Sequence, residues 1–208
     1  MRGLFITFEG IDKSGKTTQA RLLAEFLTGS GRETVLTRQP GGSPLCEEIW
    51  GLIRARRHFG QMAPLTEMML FAADRAQHVR EVILPALEAG KAVVCDRYTD
   101  SASAYQGYGR GLDLDAIRAL NDTATEGLTP DRTFFIDIPV EEALKRGLGK
   151  AADRMEMEQA AFYERVREGY LRIAASDPGR VVGVDGCEAV GRVSEKVRAV
   201  VETVLSVF

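Results

Sequence analysis

The chain has 208 residues, of which 45% are hydrophobic, so it can bury a core and we expect one compact domain over residues 1–208. Charged residues make up 27% of the chain and the formal net charge is −3. These values argue against a global basic field and so against a general nucleic-acid-binding protein, although a local basic cleft stays compatible with them.

Short apolar runs rich in Val, Ile, Phe or Thr alternate with helical patterns along the whole chain. In chain order, the predicted strands cover residues 4–8, 34–38, 92–96, 133–138 and 181–185. The helical patterns between and after them cover residues 17–28, 64–89, 113–126, 139–148, 156–175 and 187–207. Pro85 predicts an interruption or a bend in the second. Continuous apolar runs are typical of strands buried on both faces.

This alternation predicts an α/β fold, an open parallel sheet of about five strands with helices on both faces. In such sheets ligands bind beyond the carboxyl ends of the strands. The polar residues at those ends are Glu9, Arg38, Asp96 and Asp137. We therefore expect the functional site at this edge of the sheet.

Cysteine usage and apolar segments bear on the compartment. Cys46, Cys95 and Cys187 are odd in number and widely separated, and we interpret them as buried thiols in a reducing compartment. The N-terminal apolar run is too short for a signal-peptide core, and no stretch approaches the ~20 apolar residues of a membrane span. We expect a soluble cytoplasmic protein without a membrane partner.

Residues 10–17, GIDKSGKT, match the phosphate-loop pattern G-x-x-x-x-G-K-[ST] between a predicted strand and a predicted helix. Gly10 and Gly15 permit the tight curvature that turns backbone N–H groups toward phosphate oxygens. Lys16 is expected to bridge the β- and γ-phosphates, and the Thr17 hydroxyl to bind Mg²⁺. The predicted nucleotide-binding residues are Gly10, Ile11, Asp12, Lys13, Ser14, Gly15, Lys16, Thr17 and Thr18.

The loop alone is compatible with a kinase, a GTPase or a nucleotide-gated binding module. A Ras-type GTPase would carry the guanine-reading sequence N-K-x-D, which does not occur. A small kinase with a cleft for a second substrate fits the chain length best. Asp96 and Arg97, at the end of a predicted buried strand, support this interpretation, because Asp96 can bind Mg²⁺ and Arg97 can bind a phosphate.

Five segments together resemble the thymidylate kinase family, in the order in which the family has them. They are FEGIDKSGKTTQ (8–19), RQPGG (38–42), MLFAADRAQH (69–78), DRYTDSASAYQGYGRG (96–111) and PDRTFFIDIP (130–139). The resemblance implies one nucleoside monophosphate kinase domain with the P-loop kinase fold and a short lid at residues 146–156. It also implies transfer of the γ-phosphoryl group of ATP to dTMP with Mg²⁺ as cofactor, for dTTP synthesis, in a homodimer.

The resemblance also assigns roles in binding the acceptor. Phe71 would stack on the thymine ring and Arg75 would donate to a thymine carbonyl, while Arg97 would hold the 5′-phosphate. The remaining acceptor residues would border the base, the sugar or the acceptor phosphate: Asp12, Arg38, Ser101, Tyr105 and Gln106. Tyr105 would crowd the ribose 2′ position and so favour a deoxynucleotide.

A phosphate acceptor is already mostly ionised at neutral pH, so the site needs positioning and charge neutralisation rather than a general base. The predicted catalytic residues are accordingly Asp12, Lys13, Lys16, Arg97 and Arg154. Neither His58 nor His78 lies at a predicted strand end, and we interpret both as solvated or packing residues.

Three features depart from the family pattern. Gln39 stands where bacterial members commonly have glutamate. Trp50 stands where many have an arginine near the acceptor phosphate, and we favour a packing role for it, with Arg54 as a possible substitute cation. The short lid offers only Arg146, Lys150 and Arg154, while Lys13 supplies a cation within the phosphate loop, where many bacterial members have glycine. Either Lys13 or a lid cation is expected to meet the transferring phosphoryl group.

Two alternatives stay open from the sequence. One is another small P-loop kinase, acting on a deoxynucleoside or on a different nucleotide. The other is a nucleotide-binding module without catalysis, for which Gln39 and Trp50 are the only hints. The apolar run at 68–73 could support the homodimer.

Overall fold

The computed structural model describes residues 2–147 and 153–205. Its centre is a five-stranded parallel sheet in the order β2-β3-β1-β4-β5. The strands are β1 (Phe5–Glu9), β2 (Thr34–Arg38), β3 (Ala92–Asp96), β4 (Arg132–Asp137) and β5 (Val181–Asp185). Each predicted strand is present, shifted by no more than a single residue, so the α/β prediction is confirmed.

Helices connect the strands and cover the sheet. They are α1 (Lys16–Gly29), α2 (Pro44–Arg54), α3 (Pro64–His78), α4 (Leu84–Glu88), α5 (Thr99–Ala102), α6 (Leu114–Thr125), α7 (Val140–Lys145), α8 (Ala160–Ser176) and α9 (Val190–Leu205). Shorter turns add 3₁₀ helices at Arg56–His58 and Met155–Met157, and π-helical turns at Val79–Ile83 and Ser103–Gly109.

The long helical pattern predicted at 64–89 is interrupted. A π-helical turn, Val79–Ile83, separates α3 from α4, and Pro85 lies in the first turn of α4. Proline has no N–H to give to the carbonyl one turn earlier, so the regular α-helical ladder cannot continue through this point. The predicted interruption near Pro85 is therefore confirmed.

Two helical stretches have no counterpart among the predicted segments. One is α2; the other is the run formed by α5 and the π-helical turn Ser103–Gly109. The latter contains Gly107 and Gly109, whose missing side chains make room for Leu114 and Phe162. Glycine-containing π turns lack the 3.6-residue apolar period, which explains why the pattern did not reveal this second run. Helix α2 is a regular amphipathic helix that the sequence interpretation missed.

Alternate residues of β1 pack on opposite faces of the sheet. Ile6 and Phe8 lie in a buried cluster with side chains of α1 and α9, among them Leu23 and Val197. Phe5 instead packs with residues of the α3–α4 side, such as Ile83. Both faces of the sheet are therefore covered, as the continuous apolar strands predicted.

The structure corrects the interpretation of the cysteines. Cys46 and Cys95 are buried, but Cys187 is exposed, because it follows β5 in a surface turn before α9.

His78 is buried, and its Nε2 pairs with Thr37 Oγ1 at 2.7 Å. Burial lowers the pKa of His78 to about 4. No helix within the described residues has the length and apolar character that crossing a membrane requires.

Candidate active site

The phosphate loop connects β1 to α1 and has the backbone that the motif predicts. Gly10 and Gly15 have φ angles of 140° and 101°, and Lys13 has a left-handed φ of 66°. A side chain on Gly10 would place its Cβ 2.5 Å from the carbonyl oxygen of Ile136. The loop therefore depends on glycine at this position, where β1 passes close to β4.

Lys16 lies folded over this loop. Its Nζ donates to the Ile11 carbonyl at 2.8 Å, and the residue is 5% exposed. Burial, reinforced by the charge of Arg97, lowers the pKa of Lys16 to about 8. The side chain is thus a buried cation at the point where an anion would best compensate it.

A hydroxyl and a carboxylate meet beside the loop, at the ends of α1 and β3. The Thr17 hydroxyl donates a hydrogen bond to Asp96 Oδ2. Asp96 Oδ1 is buried and has no hydrogen-bond partner within the described residues. Hard oxygen ligands with a spare lone pair fit Mg²⁺, which takes few protein ligands when substrate phosphates supply others. No cluster of three or more His, Cys, Asp or Glu suited to a metal occurs in residues 2–147 and 153–205.

Arg97 joins the loop to the next helix. Its Nη2 donates to Asp12 Oδ1 at 2.6 Å and to Tyr105 Oη at 3.1 Å. Its Nη1 donates to Ser101 Oγ and Tyr170 Oη, each at 3.2 Å. Burial alone would raise the pKa of Asp12, but the charges of Arg97 and Lys16 lower it below its ordinary value. Arg97 and Asp12 therefore form an ionised pair between the loop and the adjoining cavity.

Glu9, the last residue of β1, is buried beneath Arg97. Its carboxylate accepts from Tyr98 N, Ser101 Oγ and Tyr170 Oη at 2.7, 2.6 and 2.8 Å. Burial and the nearby Asp100 carboxylate raise the pKa of Glu9 to about 7.

One cavity adjoins the loop between α2, α3 and the α5 region. Every residue that the sequence predicted for the acceptor lines it: Asp12, Arg38, Phe71, Arg75, Arg97, Ser101, Tyr105 and Gln106. A second cavity lies over the phosphate loop and is lined by Lys13, Lys16, Thr17 and Arg146, among others. Asp12, Asp96 and Arg97 line both cavities, so these three residues mark the place where the two meet.

The far end of the first cavity is formed by α3. Phe71 is half-buried, and Arg75, one turn later, is 2% exposed. Arg75 Nε donates to Gln39 Oε1 at 3.0 Å, and its Nη1 donates to Asn121 Oδ1 at 2.7 Å. Gln106 Nε2 donates to Glu67 Oε1 at 2.9 Å, which fixes its amide in the wall.

The structure does not bring Arg154 to the phosphate loop. Its Nη1 pairs with Glu67 at 2.6 Å, its Nε donates to the Ile53 carbonyl, and the side chain is 3% exposed. It lines neither cavity. As placed here, Arg154 is held by a buried carboxylate and anchors the end of the lid segment to α2 and α3, instead of supplying a cation to a phosphate. Lys150 lies outside the described residues, whereas Arg146 lines the second cavity.

Lys13 also lines the second cavity. Its Nζ pairs with Glu156 Oε1 at 2.9 Å, and its side chain is 38% exposed. Glu156 belongs to the 3₁₀ helix Met155–Met157, so this ion pair links the phosphate loop to the end of the lid segment. The hydrogen bond from Lys13 to Glu156 raises the pKa of Lys13, which keeps the ammonium charged.

Several cavity residues were not predicted. Trp50, for which we favoured packing, lines the first cavity, whereas Arg54 is exposed and does not line it. Gln39, Asp153 and Met155 also line it. Only Gln39 and Trp50 carried a signal in the sequence, as departures from the family pattern; Asp153 and Met155 reach the cavity through the path of the chain at the end of the lid segment.

Comparisons with known proteins agree with this geometry. The sequence model of the family described as thymidylate kinase matches residues 8–197. A thymidylate kinase of Geotalea uraniireducens (strain Rf4) is 45% identical over 206 residues, covering 96% of each chain. One of Caldanaerobacter subterraneus subsp. tengcongensis is 47% identical over 205 residues, covering 99% of this chain and 98% of that one. The crystal structure of thymidylate kinase from Ehrlichia chaffeensis superposes with a TM-score of 0.78 at 38% identity, covering 97% and 99% of the two chains.

Proposed function

We propose, from the premise that this chain belongs to the thymidylate kinase family, that its two adjoining cavities hold the two substrates of that family. The protein is an ATP-dependent nucleoside monophosphate kinase that phosphorylates dTMP to dTDP, a step of dTTP biosynthesis. The homology supports this reaction over a deoxynucleoside kinase or a binding module. In our proposal the phosphate loop binds ATP, and the cavity lined by Phe71 and Arg75 binds dTMP.

One observation carries this arrangement. Asp12, Asp96 and Arg97 line both cavities, so an acceptor phosphate bound by Arg97 would face a donor phosphate bound by Lys16. In-line phosphoryl transfer requires this end-to-end placement of the two nucleotides. The acceptor oxygen is already ionised, so the chain supplies no general base and acts by positioning and charge neutralisation.

The side chains of the cavity wall support dTMP as its ligand. Phe71 offers a face for stacking on the thymine ring, and Arg75 offers an N–H to its carbonyl oxygen. Tyr105 is held by Asp12 and by Arg97, whose guanidinium carbon lies 5.0 Å from the centre of the tyrosine ring. A ring so fixed next to the sugar would exclude a 2′-hydroxyl and select deoxynucleotides.

We assign Mg²⁺ to the corner between Thr17 and Asp96. Asp96 Oδ1, which has no hydrogen-bond partner in residues 2–147 and 153–205, and the Thr17 hydroxyl are oxygen ligands of the kind that this cation accepts. Bound there with ATP, Mg²⁺ would neutralise phosphate charge. Lys13, in the same cavity, is our proposed additional cation for the transferring phosphoryl group.

We also propose a cytoplasmic homodimer. Helices α2 and α3 pack on each other and carry exposed large apolar side chains: Leu45, Leu52, Leu65 and Met69, between 47% and 54% exposed. Surfaces of this kind are typical of protein interfaces. Met69→Glu should shift the protein from dimer to monomer in light scattering, whereas Leu171→Glu, on α8, should leave the dimer intact. The free thiols and the use of ATP support the cytoplasm.

A coupled ADP-release assay tests the assignment of the acceptor. We expect the highest kcat/KM with dTMP, lower values with dUMP and dCMP, and no turnover with thymidine, which lacks the phosphate that Arg97 would bind. Turnover with thymidine equal to that with dTMP would refute the acceptor cavity as we assign it.

A further inference from the structure

Arg75 is a buried cation without a carboxylate partner among the described residues. It is 2% exposed, and its two protein hydrogen bonds go to neutral carboxamide oxygens, those of Gln39 and Asn121. Asp74, next to it in sequence, uses Oδ1 to accept from the backbone N–H of Gly41. The positive charge of Arg75 is therefore oriented by its neighbours without being paired by them.

These two hydrogen bonds fix the guanidinium group. Gln39 holds Nε and Asn121 holds Nη1, and anchoring two of the three nitrogens of a planar group sets its plane and its rotation. Nη2 makes no hydrogen bond to the described residues, and Arg75 lines the acceptor cavity. The chain thus presents a fixed donor to whatever occupies that cavity.

The orientation of the Gln39 amide leaves one of its polar atoms without a hydrogen bond in the described part of the chain. Its Nε2 is buried without a hydrogen-bond partner in the described part of the chain. Arginine has only donors, so the amide must turn its oxygen toward Arg75 and leave the nitrogen unpaired. An unpaired buried N–H is unfavourable. The hydrogen bond to a cation therefore decides the orientation of this side chain.

Asn121 also turns its carboxamide oxygen toward Arg75, from a different helix. It lies on α6, is 7% exposed, and its Nδ2 is 3.4 Å from the Thr99 carbonyl. Asn121 does not line the acceptor cavity. It can act on a ligand in that cavity only through Arg75.

We propose that Asn121 and Gln39 are positioning residues for base discrimination, acting by holding the Arg75 guanidinium as a fixed donor against position 4 of the pyrimidine. This inference rests on the proposed role of Arg75 as the residue that contacts the base. Thymine carries a carbonyl oxygen at that position and cytosine carries an amino group, which is a donor. A fixed arginine can donate to the thymine carbonyl oxygen but has no acceptor for the cytosine amino group, so it disfavours cytosine. A mobile arginine can turn away from the amino group, and the discrimination is then weaker.

The test compares kcat/KM for dTMP and dCMP in matched variants. Asn121→Leu and Gln39→Met remove an acceptor and keep a side chain of similar shape, whereas Asn121→Asp and Gln39→Glu keep an acceptor. We expect each acceptor-removing substitution to lower the ratio of kcat/KM for dTMP to kcat/KM for dCMP, the dTMP:dCMP ratio, about 10-fold. This is the effect expected from losing one hydrogen bond to a charged group, and KM for ATP should change little. The acid variants should keep most of the ratio.

The double variant Arg75→Met/Asn121→Leu separates positioning from a general structural effect. Because Asn121 acts through Arg75, the double variant should have the same dTMP:dCMP ratio as Arg75→Met alone. A further loss equal to that of the single Asn121→Leu variant would overturn the inference. An unchanged dTMP:dCMP ratio in both acceptor-removing variants would also overturn the inference. If Asn121→Leu does not fold, the comparison of Gln39→Met with Gln39→Glu provides the test.

The same experiment separates this inference from the proposed function. If Arg75→Met keeps the full dTMP:dCMP ratio, Arg75 does not contact the base, and its proposed role and the inference fail together. If Arg75→Met loses the ratio and neither acceptor-removing variant does, only the inference fails.

Discussion

Tyr170 donates a hydrogen bond of 2.8 Å to the carboxylate of Glu9, which lies 161 positions earlier in the chain. Both residues are 1% exposed. The same tyrosine hydroxyl and that of Ser101 accept hydrogen bonds from Arg97. Glu9 thus fixes the two hydroxyls that fix Arg97, a residue with a left-handed φ of 73°. The carboxyl end of β1 and helix α8 together orient the cation that we assign to the acceptor phosphate.

Glu9→Gln should therefore weaken the use of dTMP. The amide has one acceptor oxygen where the carboxylate has two, so Ser101 and Tyr170 lose a shared partner and Arg97 gains freedom. We expect kcat/KM for dTMP to fall about 10-fold with little change in KM for ATP, as one hydrogen bond to a charged group predicts. Tyr170→Phe, which removes one member of the network, should give a smaller loss. Equal losses for both nucleotides would contradict this role.

The raised pKa of Glu9 predicts a pH dependence of stability. The unfolded carboxyl loses its proton near its ordinary value of 4.5 and the folded one near 7, so the folded state holds an extra proton in between. This residue makes the free energy of unfolding fall as pH rises through that window. Burial also raises the pKa of Asp74 to about 6, which acts in the same direction, and lowers that of His78 to about 4, which acts in the opposite one.

Because these contributions overlap, the measurement is a difference. Urea unfolding of the wild type and of Glu9→Gln at several pH values should show the wild type losing stability relative to the variant between about pH 4.5 and about pH 7. The contributions of Asp74 and His78 cancel in this comparison. A difference that stays constant across the window would show that Glu9 does not titrate there.

The sequence predicted those features whose cause is local. The strands ending in Glu9 and Asp96 follow from apolar runs, and the phosphate loop follows from a motif that fixes its own backbone. The cavity residues Phe71 and Arg75 came from the family resemblance; as an isolated pair they would have been read as a core aromatic and a solvated charge. Residues whose role depends on contacts distant in sequence were not predicted. Asn121 meets Arg75 across 46 positions, a contact that only the packing of α6 against α3 creates.

The lid illustrates the same limit. Arg154 belongs to a segment whose composition predicts phosphate-binding cations, and from sequence we counted it among the catalytic residues. Its burial against Glu67, 87 positions earlier, is decided by a carboxylate that no local pattern connects to it. Glu67 also receives Arg110, with Nη2 at 3.1 Å from Oε2, so two arginines share one buried acid.

Arg154→Met tests this structural placement. The substitution leaves Glu67 with Arg110 and Gln106, so we expect a loss of about 2 kcal/mol in the free energy of unfolding, below the 3–5 kcal/mol typical of a fully broken buried pair. The measurement is urea denaturation together with steady-state kinetics. Unchanged stability with a large fall in kcat would instead return Arg154 to the catalytic residues.

Lys13→Gly provides a test in which activity and stability move in opposite directions. Lys13 has a left-handed φ of 66°, a conformation that costs a lysine energy and a glycine almost none. The variant should therefore be as stable as the wild type or more stable, by up to about 1 kcal/mol. If Lys13 meets the transferring phosphoryl group, kcat should nevertheless fall about 100-fold while KM for ATP changes little, because the charge is needed chiefly in the transition state. Glu156→Gln is the matched control, since it weakens the ion pair at 2.9 Å and leaves the lysine charge in place, and it should retain most of kcat. A rise in KM for ATP with kcat unchanged would make Lys13 a residue that only attracts the nucleotide.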